Sequence, residues 1–122
     1  MSNHHKINYV ELPARDLAKT KQFFSVVFGW QFVDYGPDYS AFVGADAGMD
    51  GGFFRADVAG RAEAGASLIV LYSEDLEASQ RKIEAAGGEI STPIFDFPGG
   101  RRFHFIEPSG NELAVWAPPV QF

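Results

Sequence analysis

One histidine stands well inside the chain: His104, in RRFHFIE (101–107). An imidazole is the side chain best suited to taking or giving a proton near neutral pH. Residues two apart on a strand share a face, so Arg102 accompanies His104 and offers a guanidinium to a ligand's negative charge. Two carboxylates sit in similar stretches, Glu11 in NYVEL (8–12) and Glu112 in NELAVW (111–116). With His104 they form a candidate acid–base set. Each also has a structural reading: a strand histidine bonded at a sheet surface, an arginine on an exposed edge, carboxylates solvated or capping turns at strand ends. His4 and His5 precede the first strand and read as a frayed tail. The chain has no cysteine, so disulfides, thiolate ligands and a thiol nucleophile are excluded. No Ser-His-Asp spacing is recognisable, and GMDGG (48–52) lacks the following helix that a phosphate-binding loop needs.

The elements that must position these residues come in two copies. Asp16-Leu17 recurs as Asp75-Leu76 and Gly29 as Gly88, each 59 positions on, which marks an internal repeat. Each copy opens with an apolar strand, INYVEL (7–12) and SLIVLY (67–72). The first helix presents Leu17, Thr20, Phe24, Val27 and Phe28 on one stripe, with Asp16 as cap and Gly29 as stop. The second has Ser73 or Asp75 as cap, a leaner stripe through Leu76 and Ile83, and Gly87-Gly88 as stop. Three short strands follow each helix, divided by turn residues. The organisation is βαβββ twice, in modules of about 6–56 and 67–117 joined by the small-residue linker 57–66. DYGPDY (34–39) reads as a rim loop.

A length of 122 residues fits one α+β domain with a real core. The net charge is −6 and the only adjacent arginines are Arg101 and Arg102, so a duplex-binding surface is not expected. No apolar run is long enough to span a bilayer, and MSNHHK shows no secretory signal. A cytoplasmic protein, associated with neither membrane nor nucleic acid, is the expectation. Most of the twelve phenylalanines are assigned to the core and a subunit interface.

NYVELPARDLAKTKQFF with FGW, then SEDLEAS and AAGGEI, then EPSGNELAVW occur in order at matching offsets. Together they resemble the vicinal oxygen chelate superfamily of glyoxalase I, bleomycin-resistance proteins, fosfomycin-resistance enzymes and extradiol dioxygenases, over about residues 6–117. The resemblance implies two βαβββ modules forming a curved, cup-shaped mixed sheet. In the metal-dependent members the cup holds one divalent ion, bound by His and Glu on the first and last strands. Carried over residue by residue, those positions hold Tyr9, Leu68 and Ala114 here. The fourth falls in GGFFR (51–55), where no acid or imidazole occurs. Leucine and alanine offer a metal no donor, and a neutral phenol is a poor substitute for imidazole. No metal and no cofactor are therefore expected, and lactoylglutathione lyase activity itself is not expected.

If Tyr9 occupies an inward position, alternation brings Glu11 inward with it. By the same rule Leu68, Val70 and Tyr72 line the cup, as do Glu112, Ala114 and Trp116. Arg102 and His104 join them if their strand faces that way. The reading is a homodimeric, glyoxalase-like protein that binds a small organic molecule in a metal-free cup. One alternative is a lyase, isomerase or dioxygenase relative using Glu11, Glu112 and His104, by acid–base chemistry or around a relocated metal. The other is a non-catalytic interaction module.

Overall fold

The computed structural model describes residues 2–120. The first module runs β1 (Tyr9–Ala14), α1 (Leu17–Phe28), β2 (Phe32–Asp34), β3 (Tyr39–Phe42), the short α2 (Gly44–Ala47) and β4 (Asp50–Arg55). The second runs β5 (Ile69–Tyr72), α3 (Leu76–Ala85), β6 (Glu89–Phe97), β7 (Gly100–Ile106) and β8 (Glu112–Ala117). Each module makes one four-stranded mixed sheet, ordered β1-β4-β3-β2 and β5-β8-β7-β6. In each, the first and last strands pair in parallel and the other pairs are antiparallel.

The helix punctuation follows the chemistry of the caps. Asp16 accepts the Lys19 N–H at α1, and Asp75 does the same for Ala78 at α3. Gly29 ends α1 in the left-handed region that residues with a Cβ avoid. Three boundaries differ from the sequence pattern. β1 starts at Tyr9 and continues through Pro13 to Ala14; a proline is accommodated because β1 is an edge strand. β5 starts at Ile69, leaving Leu68 just ahead of it. The strand expected through SAFVGA (40–45) ends at Phe42, and its last two residues wind with the next two into α2 before β4.

α1 joins the modules. Phe23 and Phe24 are adjacent in sequence yet face different sheets: Phe23 packs on Phe105 with centroids 5.9 Å apart, and Phe24 on Phe53 at 5.3 Å. These four rings and Phe103 are essentially sealed from solvent. A polar clamp completes the joint. Buried Glu107 accepts from the Thr20 hydroxyl at 2.7 Å, the Ser109 N–H at 2.8 Å and the Asn111 amide at 2.9 Å. The Asn111 amide also donates to the Pro13 carbonyl at 2.6 Å, and its oxygen accepts the Gly60 N–H at 2.8 Å. Burial pushes the Glu107 carboxyl above its ordinary range and outweighs these donors. Among the described residues no helix is long and apolar enough to cross a membrane.

Candidate functional site

Strand alternation gives each sheet a helix-covered face and an open face. In β7, Phe103 and Phe105 are buried against the helices, so Arg102 and His104 project from the open face. Their partners on β8 are Trp116 and Ala114, and these in turn sit beside Tyr72 and Val70 of β5. Ala114 is fully buried on the floor. Tyr72 and Trp116 meet edge to face, with centroids 5.5 Å apart.

Glu112, diagonal to His104 across the β7–β8 ladder, stands with Oε2 3.0 Å from His104 Nδ1. Its other oxygen accepts the Ala62 N–H at 2.9 Å. Burial pushes this carboxyl up, but the Ala62 and His104 hydrogen bonds and the nearby Arg61 charge hold it below its ordinary range. The carboxylate therefore both caps the linker and orients the ring. A hydrogen on Nδ1 facing Glu112 leaves Nε2 with the lone pair. That Nε2 is buried and finds no hydrogen-bond partner among the described residues.

Arg102 Nε is the other buried side-chain polar atom without a partner there. The guanidinium carbon lies 5.3 Å from the Phe95 centroid and 5.5 Å from that of Phe97. Two register shifts in β6 produce this setting. Ile90 pairs with Phe105 and Thr92 with His104, then Phe95, one residue later than regular pairing requires, with Arg102. The second bulge turns Phe95 and Phe97 to the open face in place of Ile94 and Asp96. β6 is an edge strand, so Pro93 within the bulged stretch interrupts no second ladder.

On the open face of the first sheet, Tyr39 bridges Tyr9 and Glu11. Its hydroxyl donates to Glu11 Oε2 at 2.9 Å and is hydrogen-bonded to the Tyr9 hydroxyl. Burial, then these two neighbours, push the Tyr39 phenol above its usual range. The ring lies over Gly52, where a Cβ would overlap its hydroxyl end. The repeat makes this position notable. Leu12 pairs with Phe53 as Leu71 pairs with Val115, so Gly52 corresponds to Ala114. The position within 51–55 that matches the carried-over ligand site is thus Gly52. The four positions hold Tyr9, Leu68, Gly52 and Ala114, three of which lack any side-chain donor. Among the described residues no three of His, Asp and Glu gather into a potential ion site. This donor set does not fit a divalent metal.

The structure thus unites His104 with Glu112, Arg102 with its aromatic neighbours, and Glu11 with Tyr9. No hydrogen bond, ion pair or ring contact joins the Glu11 group to the His104 group among the described residues. Tyr39, Phe95 and Phe97 escaped the sequence reading. Alternation back from Ala41 could have found Tyr39, but the two phenylalanines depend on a bulge with no advance signal except Pro93. Trp30 lies elsewhere, lining an apolar cavity of about 440 Å³ with Leu12, Phe42 and Leu71 between β1 and β5.

With this geometry in place, the comparisons with known proteins agree on one grouping. The family model described as Glyoxalase/Bleomycin resistance protein/Dioxygenase superfamily matches residues 6–115. CFP32 of Mycobacterium tuberculosis, provisionally called a glyoxylase, is 25% identical over 115 residues, covering 89% of this chain and 44% of its own length. The chain therefore spans under half of that relative. A glyoxalase-related enzyme from Fulvimarina pelagi superposes with a TM-score of 0.76 at 17% identity, over 95% of this chain and 90% of that one. The fosfomycin resistance protein FosX of Listeria monocytogenes gives 0.73 at 21%, over 93% of both chains. At these identities the superpositions establish the fold.

Proposed function

From the premise that this chain belongs to the Glyoxalase/Bleomycin resistance protein/Dioxygenase superfamily, we propose that it binds a small organic molecule on the open face of its second sheet, without a metal ion. One observation carries the reading: His104 Nε2 is buried with no partner while Nδ1 is tied to Glu112. A buried acceptor without a donor costs on the order of 1–3 kcal/mol, and a ligand's O–H or N–H would recover it. Ala114 leaves room opposite the ring, and Trp116 and Tyr72 provide flat apolar walls. Glu112 stabilises the imidazolium formed if His104 takes that proton, so the pair also suits a general base. This favours acid–base chemistry over a relocated metal as the route to any enzymatic activity.

The homodimer belongs to the same proposal. Tyr9, Val33, Phe54, Val70 and Tyr72 are large, exposed and all on the open faces, which suits burial by a second copy. Sedimentation at micromolar concentration should give a dimer, shifted to monomer by Tyr72→Glu.

The binding reading is tested by Trp116 fluorescence in a Trp30→Phe background against a panel of polar metabolites. At least one should bind, and His104→Ala and Glu112→Ala should each weaken it about tenfold or more, the scale of one lost buried hydrogen bond. Unchanged binding by both variants would sink the assignment.

A further inference from the structure

We infer that the molecule bound on this face is a small organic anion: a carboxylate held by Arg102, with a hydroxyl or N–H group reaching His104 Nε2. The inference rests on the binding reading above and adds the ligand's charge and donor pattern.

The adjacent arginines are handled oppositely. Arg101 is paired with Glu77 and lies within 3.9 Å of Asp96. Arg15, Arg55 and Lys21 likewise have carboxylate partners. Arg102 is partly buried and has no ion pair or hydrogen bond among the described residues. A guanidinium cannot shed its charge by losing a proton, so burial leaves an unbalanced cation. Phe95 and Phe97 attract it through their ring faces but accept no in-plane N–H. Nε is sealed, so the edge of the fork that carries the two terminal amino groups is the side left for a carboxylate, for which its geometry is suited.

His104 sets a second condition. Its Nδ1 faces the Glu112 carboxylate at 3.0 Å, which places a hydrogen there; in the neutral ring Nε2 is then the acceptor and calls for a donor. Alternate residues of a strand lie about 6.6 Å apart, and both side chains rise from the same face, so one compact molecule spans them. The unpartnered atoms thus specify acceptor oxygens at one end and a donor toward the other, with an apolar body beside Trp116.

Mandelate has this pattern, and mandelamide keeps its shape without the charge. Titrations followed by NMR of the Arg102 Nε–H and His104 ring signals separate the possibilities. Mandelate should shift both groups and bind about tenfold or more tightly than mandelamide, as expected for a charge-assisted bidentate pair. Arg102→Gln should remove the preference for the charged probe, while His104→Asn should weaken both probes and preserve it. The anion inference is overturned if mandelamide binds as well as mandelate. It also falls if Arg102→Gln keeps the preference, or if neutral compounds shift His104 while mandelate leaves Arg102 unmoved at millimolar concentration. Shifts at neither residue with any probe overturn the binding reading along with it.

Discussion

The Glu112 carboxylate spans the second module's open face and its linker, with one oxygen 3.0 Å from His104 Nδ1 and the other 2.9 Å from the Ala62 N–H. Because its folded pKa lies below the ordinary value of 4.5, the carboxylate's contribution to stability is complete above that value. It is lost as pH falls through the lower folded one. Glu112→Gln should therefore lower stability by about 1.5–3 kcal/mol at pH 7, the range for hydrogen bonds to a charged group. The gap should close as pH falls below the ordinary value of 4.5 and on through the lower folded one. Thermal denaturation of both proteins from pH 3 to 8 measures it; a gap that does not vary with pH refutes the assignment.

The Tyr39 phenol should titrate above the ordinary tyrosine range, because burial and then its bonds to Tyr9 and Glu11 disfavour the phenolate. Ultraviolet titration should show one late step that disappears in Tyr39→Phe. Gly52→Ala should abolish the same step, since the added methyl displaces the hydroxyl from its partners. A late step that survives both changes would belong to another group.

Glu107→Leu should destabilise the protein by about 3 kcal/mol or more, because it strands several buried donors at the joint between modules. The folded pKa here is raised, so the sign reverses relative to Glu112. Native protein holds this proton more tightly than unfolded chain does, and the residue's contribution falls as pH rises above the ordinary glutamate value. Parent and variant should therefore differ most in mild acid. Denaturant melts at pH 4 and pH 8 give the comparison, and a larger difference at pH 8 would contradict it.

Metal should matter little. Protein expressed without a tag and dialysed should hold well under one transition-metal ion per chain, and chelator should leave its melting temperature unchanged, since the described residues gather no group of three ligands to couple metal to folding. Stoichiometric zinc, nickel, manganese or iron, with a melting point lowered by chelation, would refute this.

The repeat, both long helices, the cap of the first and the parity of β7 and β8 were legible in the sequence because each rests on local spacing; for the second cap the sequence left Ser73 and Asp75 open, and Asp75 takes it. Asp16 and Asp75 cap their helices through contacts three residues away, and Arg102 and His104 share a face by alternation alone. What escaped prediction is non-local. The ladder that equates Gly52 with Ala114 exists only once β1 and β4 pair. The aromatic bed of Arg102 exists only because β6 bulges against β7. Nothing adjacent in the chain sets Glu107 apart; its burial follows from the docking of α1 from the other module.

The Tyr39 ring over Gly52 also constrains how this lineage can change. A glutamate arriving at 52 in the present background would collide with the phenol and strand Glu11 and Tyr9, so it would be disfavoured before it could confer anything. A smaller residue at 39 before an acid at 52 avoids that collision; the reverse order requires the Tyr39 side chain to swing away. The first step forfeits hydrogen bonds for no immediate return. The hydroxyl thus sets a cost on any carboxylate at 52: the hydrogen bonds that tie Tyr39 to Glu11 and Tyr9 are lost when it enters.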